Sequence, residues 1–468
     1  MHRFIPVLAV AVLLLLTCFG EAEKPAGGLT VGFAERDITP EVKADGKPVW
    51  VAGFGNNRRA TGVNDPIMAR AVVLSDGVKK IALVSVDLVG LFLEPVEKIR
   101  QGLPGFEYIC ISSTHNHEGP DTLGLWGRSP LQSGVDPEYL LQVEKGVQAA
   151  VRAADAARVA ASGRIGTIKA PELLHDSRIP IVKHDDLVTV AFRSPAGKMS
   201  GLIVQWNCHP ETLDSKNTLL SADYVGYTVE YLRKKYDCPV VYLTGTVGGL
   251  MTSLRVPIKS ESGEELRDGT FEKTRRYGEL LGMAAVKAVD SSVPAVLTPI
   301  VARTRTLHVP LANKLYVAGR QMGVFGRNAY RLEGGKPVLT NDIDAKQQYS
   351  VRTELGYLRL GELEVACIPG EIYPELVLGK VVEKAEPGAD FPDAPAEPAI
   401  YDQFKSRHRM LIGLANDEIG YIIPKRQWDE KPPYCYGRTK SQYGEINSLG
   451  PETAPLLCRA FADLVAGK

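Results

Sequence analysis

Ile111-Ser112-Ser113-Thr114-His115-Asn116-His117-Glu118-Gly119-Pro120-Asp121 follows an apolar run, Phe106 to Ile111, rich in β-branched and aromatic residues. That run predicts a short buried strand. The chain then turns polar, sets two histidines two residues apart beside two carboxylates, and stops at Gly119-Pro120. If strand geometry persists, side chains two apart share a face, so both imidazoles can approach one centre. Neutral imidazole is the commonest biological metal ligand, and a sheet end gives it a rigid mount. The whole chain has 8 histidines, and two of them stand here.

Working outward, the other strand ends carry polar residues too. Leu202 to Trp206 reads as a strand that runs into Asn207-Cys208-His209-Pro210-Glu211, where the proline stops it. A lone histidine in such a place is more often structural than ligating. The strand Leu363 to Ile368 breaks at Pro369-Gly370 and delivers Glu371 ahead of a helix-like run, where an acid is commonly a dipole partner. Arg409 to Leu414 is a further strand, followed by the polar turn Ala415 to Tyr421. Between these ends lie strands at Val31–Ile38, Ala69–Leu74, Lys80–Val86, Leu187–Phe192, Val240–Leu243 and Ile300–Val309. Helices are expected from Asp136-Pro137 to about Ala161, from an N-cap at Ser221 through Tyr236, over Phe271–Val289, and from Pro451 onward. Asp76-Gly77 and Pro195-Ala196-Gly197 signal hairpins. Hairpins are too common for a purely parallel sheet. The expected fold is α/β of the mixed α+β kind, with large mixed β-sheets and helices packed outside, in a single large domain. Ala385–Pro398 reads as a surface loop of that domain.

Composition bounds the function. The chain has 468 residues, 44% hydrophobic and 24% charged, with 55 basic against 55 acidic residues. Zero net charge argues against nucleic acid or an anionic membrane as the main partner. Met1-His2-Arg3, the apolar stretch Phe4–Leu16 and the small residues Gly20 and Ala22 read as a signal peptide over 1–22, with 23–468 the mature chain. The expected location is secreted or periplasmic. Thr17-Cys18 leaves lipoprotein anchoring at Cys18 as an alternative, and no later segment is long and apolar enough to span a bilayer. The six remaining cysteines are scattered without a CxxC. Cys110, Cys208 and Cys367, at strand ends, read as buried free thiols.

In order along the chain, these motifs resemble the neutral (non-lysosomal) ceramidase family. Thr114-His115-Asn116-His117-Glu118-Gly119-Pro120 is similar to its THTHSGP-like segment, and His209-Pro210 to its histidine-proline at a strand end. Ser221-Ala222-Asp223-Tyr224-Val225-Gly226-Tyr227 is similar to its Ser-Ser-Asp-x-x-Gly-Tyr, Pro369-Gly370-Glu371 to its Pro-Gly-Glu, and Gly413 to Tyr421 to its Gly-Leu-x-Asn segment ending in tyrosine. Gly62 to Ala71 resembles its entry segment. The resemblance implies a single catalytic zinc ligated by His115, His209, Glu371 and Tyr421. It implies His117 as a nearby acid/base or oxyanion-stabilising residue, Tyr421 as a donor to the oxyanion, and Arg178 as the substrate-orienting arginine. Zinc lowers the pKa of its water to about 7, and that water would attack an amide, or an ester, carbonyl.

The departures from the family shape the expectation. Its Gly-Asp-Val-Ser-Pro segment supplies a serine near the metal, whereas here Met251 falls at that place in Gly245–Ser253, and a thioether cannot act as such a nucleophile. The family's C-terminal immunoglobulin-like domain has no counterpart here. Glu118 and Asp121 stand where the family has small residues, and with Arg58 and Arg59 they predict a polar pocket. The leading expectation is therefore an exported zinc-dependent hydrolase of amide (C–N) bonds. Its small-molecule amide or ester substrate is sphingolipid-like or, being more polar than ceramide, an acylated glycan. The alternatives are a non-catalytic metal- or ligand-binding protein on the same scaffold, and a metal-assisted glycan lyase.

Overall fold

The strand Met68–Ser75 shows how the layers are built. Val72 and Leu74 point into one apolar cluster, while Ala69, Ala71 and Val73 point into another. A strand covered on both faces has no polar side to show, which is why its sequence is nearly all apolar. The computed structural model describes residues 28–340, 342–344 and 346–468. The expected signal peptide, 1–22, lies outside the described residues. Among those described, no helix is long and apolar enough to cross a membrane.

Three sheets surround a shared core. In the first, Thr30–Asp37, Met68–Ser75 and Lys80–Val86 pair antiparallel, and Tyr108–Ser113 joins Lys80–Val86 in parallel. In the second, Ser162–Lys169, Asp186–Arg193 and Met199–Trp206 pair antiparallel, and Val240–Thr244 joins Met199–Trp206 in parallel. The third is built on Tyr349–Leu360, which pairs antiparallel with both Ile300–Leu311 and Leu363–Cys367; His408–Ile412 then joins in parallel. One cluster gathers Val72 and Leu83 from the first sheet, Val190 and Ile203 from the second, and Leu358, Val365 and Met410 from the third.

The outer faces are covered by helices, as expected. Pro137–Ala156 packs on the first sheet, Asp223–Tyr236 and Phe271–Asp290 on the second, and Thr453–Ala466 on the third. Each helix sends its own apolar stripe into a cluster with the sheet beneath it, so the mixed α/β class holds.

Several local expectations are corrected. The helix from Pro137 ends at Ala156, not near Ala161, because Val159 and Ala160 are claimed as edge partners of Val31 and Thr30. Ladder pairing there overrides an alanine-rich helical propensity. Ala222, not Ser221, is the N-cap of the next helix; Ser221 Oγ accepts the Asp223 N–H and donates to Asp65. Helices at Leu93–Gln101 and Lys314–Gln321, and the hairpin Ala329–Glu333/Lys336–Thr340, have no counterpart among the expected elements. All six described cysteines are buried and free, which extends the free-thiol reading from three to all of them.

The parallel pairs of these three sheets end at one place, and there the sheets are stitched together. The Thr244 hydroxyl donates to the Thr114 carbonyl at 2.8 Å, and Gly413 N–H to the Thr244 carbonyl at 2.9 Å. Asn416 exchanges bonds with Ile111, donating from its backbone N–H at 2.7 Å and accepting at Oδ1 at 2.8 Å. Strand carboxyl ends from all three sheets therefore surround a single site.

Candidate metal centre and its cavity

His115 sits just past the end of Tyr108–Ser113, with φ at 65°. A non-glycine residue in the left-handed region turns its side chain off the strand's path and stores strain that neighbours must hold. The flanking backbone supplies that hold: Thr114 N–H bonds the Val86 carbonyl, and Asn116 N–H the Leu88 carbonyl. The strand alternation expected to align the two histidines is thus absent. His115 and His117 still meet, with ring centroids 5.0 Å apart, because the turn brings them back together. His209, just past the second sheet's strand, completes the group, 4.8 Å from the His115 ring and 5.5 Å from His117. One nitrogen from each of the three lies within 4.8 Å of the others, and all three residues are buried.

Glu371 closes the arrangement from the third sheet. One of its oxygens lies 3.0 Å from His209 Nε2 and 3.3 Å from His115 Nε2. Each of these imidazoles is oriented at its other nitrogen: His115 Nδ1 bonds the Val89 carbonyl and His209 Nδ1 the Met251 carbonyl, both at 2.7 Å. A carbonyl can only accept, so both Nδ1 atoms carry the proton and both Nε2 atoms present a lone pair to the same point. Burial alone would raise the Glu371 pKa, but His115 and His209 hold it well below the usual carboxylate range. Burial works to lower both imidazole pKa values, and Glu371 reverses it, so both are raised. Tyr421 pairs in register with Glu371, and burial followed by that carboxylate keeps the phenol protonated.

Two convergent imidazole lone pairs, a buried carboxylate and a phenol make a donor set that suits a borderline-soft divalent ion, and the residues present fit zinc. His117 differs from the other two histidines. Its Nδ1 faces Glu211 Oε2 at 3.3 Å, and burial lowers its pKa to about 4 despite that carboxylate. Glu211 in turn is held below the carboxylate range by His117, so the pair is a neutral imidazole beside an ionised acid. Glu211 received no role from the sequence, although it stands two residues after His209.

A cavity opens over this group. His115, His117, Glu371 and Tyr421 line it, together with the apolar side chains of Phe92, Leu123, Trp126, Leu311, Phe325 and Leu449. Gly53 must be a glycine here: φ is 102°, and a Cβ would lie 2.4 Å from the His117 side chain.

Other expected site residues are placed elsewhere. Arg178 is buried in a bidentate pair with Glu445, at 2.7 and 2.9 Å, and lies over the Tyr373 ring. It does not line the cavity, because Glu445 and the Tyr443 and Gln427 carbonyls take up its guanidinium. The four residues expected to make the pocket polar also face away. Arg58 bonds the Ala52 and His117 carbonyls and Glu118; Arg59 bonds the carbonyls of Lys43, Ala44 and Gly46. Asp121 accepts the N–H groups of Leu123, Gly124 and Trp126. Each is committed to holding a loop, so none of the four makes the pocket polar and that argument for a polar substrate fails. Met251 is buried in the second sheet's core, where Sδ accepts the His184 N–H at 3.4 Å. Ser253 is fixed between Thr212 and the His209 carbonyl.

No protein-family model matches the chain, and no curated protein matches it in sequence. Solved structures do share its fold. A neutral ceramidase from Pseudomonas aeruginosa superposes with a TM-score of 0.70 at 15% identity, over 94% of this chain and 74% of that one. A ceramidase complexed with C2 gives the same score and identity over 94% and 75%. The protein therefore has the ceramidase fold.

Proposed function

We propose that this chain is an exported zinc-dependent hydrolase of amide bonds, with residues 23–468 forming one catalytic domain. The observation that carries this reading is the convergence of His115 and His209 Nε2 on Glu371, each imidazole pinned by a backbone carbonyl, beside a cavity with apolar side chains in its lining. His115, His209, Glu371 and Tyr421 would hold the ion. Zinc, when bound, supplies Lewis-acid polarisation and activates water near neutral pH.

The remaining chemistry belongs to the chain. His117 is neutral and sets Nδ1 3.3 Å from Glu211 Oε2, which leaves Nε2 to take a proton and return it to a departing nitrogen. Glu211 fixes that tautomer and stabilises the imidazolium that forms, as a buried carboxylate does for an acid/base histidine. The Tyr421 phenol, kept protonated by burial, can donate to an oxygen that gains negative charge. The aromatic wall excludes water and takes up an acyl chain, consistent with the lipid amides on which ceramidases act. With Ser253 tied to backbone and Met251 in the core, no hydroxyl from that segment reaches the cavity, so the reaction proceeds without a serine ester.

The test is hydrolysis of long-chain acyl amides by the protein treated with a chelator and then resupplied with zinc. Loss and recovery of activity support the reading. Zinc binding with no turnover of any amide or ester would instead make the chain a metal-binding protein.

A further inference from the structure

Two arginines line the cavity, and the ends of their guanidinium groups differ in what they meet. The Arg327 guanidinium is held through both terminal nitrogens: it pairs with the Asp417 carboxylate and donates to the Glu418 and Arg352 carbonyls. Arg320 also lines the cavity, yet its guanidinium has no hydrogen-bond or carboxylate partner among the described residues, and its Nε is buried. A guanidinium is charged at every accessible pH and offers five donors in a flat fork. Leaving one beside apolar walls with a buried donor unmet is costly unless a ligand meets it.

Its position relative to the centre follows from the helix that carries it, Lys314–Gln321. Asn313 caps this helix, its Oδ1 accepting the N–H groups of Leu315 and Tyr316 at 3.0 and 3.3 Å. Tyr316 and Arg320 are four residues apart, so both project from one face, with Cβ atoms roughly 5–6 Å apart. Tyr316 lines the same cavity, and its hydroxyl lies against Gly420, the neighbour of Tyr421. Arg320 therefore stands about one helical turn along from Tyr316, whose hydroxyl lies beside the residue before Tyr421. The cavity is also lined by Glu371 and a second carboxyl, Glu418, whose Oε1 accepts the Gly420 N–H while Oε2 has no partner.

We propose that Arg320 is an anion-binding subsite of this cavity, and that the substrates are apolar acyl amides bearing a carboxylate close to the amide, as in an acylated amino acid. This deepens the amidase reading and rests on it. An acyl chain occupies the aromatic wall, the amide reaches the histidine group, and the carboxylate pairs with the Arg320 fork.

The experiment uses two ligands that differ in charge alone, N-dodecanoylglycine and N-dodecanoylglycinamide, with the full-length protein supplemented with zinc. Binding is measured by calorimetry and hydrolysis by product release. In the wild type the acid is favoured by on the order of tenfold or more, in Kd and in kcat/KM. Arg320→Met brings that ratio to about one, and Arg320→Lys keeps part of it. The ratio is read within each protein, so an overall loss of stability or activity does not imitate the effect. Equal treatment of the two ligands by the wild type overturns the subsite, as does a preference that survives Arg320→Met. Hydrolysis of both ligands at equal rates leaves the amidase reading standing without the subsite. Selective binding of the acid with hydrolysis of neither keeps the subsite and removes the amidase.

Discussion

Glu371 and Tyr421 are register partners in a parallel ladder only two residues long. The ladder lies beyond the strands Leu363–Cys367 and His408–Ile412, and it places two side chains of the candidate centre side by side. Glu371 N–H bonds the Gly420 carbonyl at 3.1 Å, and Tyr373 N–H the Ile422 carbonyl at 3.2 Å. Gly420 makes the turn into it, with φ at 79°, and a Cβ there would lie 1.8 Å from the Asn447 carbonyl oxygen. Gly420→Ala is expected to destabilise the fold by more than about 2 kcal/mol and to weaken zinc binding in the fraction that folds. Denaturant midpoints and metal content of the purified variant check both effects; an unchanged midpoint and metal content contradict them.

His117 and His115 are two residues apart but are expected to fail differently. His117→Ala removes the proton carrier and leaves the convergent nitrogens intact. Its kcat on a long-chain amide should fall by about 10²–10⁴-fold, with zinc content unchanged. If His117→Ala loses its zinc along with its activity, the division of roles between the two histidines is wrong.

Met251 lies in the core against Trp206 and Cys208, not in the cavity. Met251→Ser should therefore not create a nucleophile. The expected result is a loss of about 2–4 kcal/mol from the buried cavity and the stranded hydroxyl, with no gain in rate. A more active variant, or one trapped as an acyl ester, would show that the segment faces the substrate.

A pH signature sits at Glu375, whose carboxyl burial pushes up to about 7 from 4.5 while Oε1 accepts the Gln427 amide. A group whose pKa is raised on folding contributes stability that is fully present below its unfolded value and is lost as pH rises through its folded value. Wild-type stability should therefore fall, relative to Glu375→Gln, between about pH 4.5 and 7, by on the order of 3 kcal/mol. Paired melting curves from pH 4 to 8 check this, and a pH-independent difference between the two proteins would rule it out.

The residues that stop strands make much of the site legible. Pro210 and Pro369-Gly370 force the chain off its sheets, so His209 and Glu371 read as strand-end residues, where the structure has them. Strands covered on both faces announce themselves as apolar runs such as Ile81–Val84 and Leu202–Val204. What stays hidden depends on tertiary contact. The left-handed turn at His115 has no glycine to mark it. The helix Leu93–Gln101 begins with Glu94-Pro95, which looks like a breaker but is tolerated in a first turn. Arg58, Arg59, Glu118 and Asp121 read as pocket charges because sequence shows a polar residue without showing which carbonyl or loop consumes it. The helix bearing Tyr316 and Arg320 is 8 residues long, too short for periodicity to reveal.

The central claim is that His115 and His209 ligate one zinc ion. Metal analysis of the purified wild type, His115→Ala and His209→Ala tests it most directly, with circular dichroism confirming that each is folded. The account predicts about one equivalent of zinc in the wild type and its loss from both folded variants. A full equivalent retained by folded His115→Ala would contradict it.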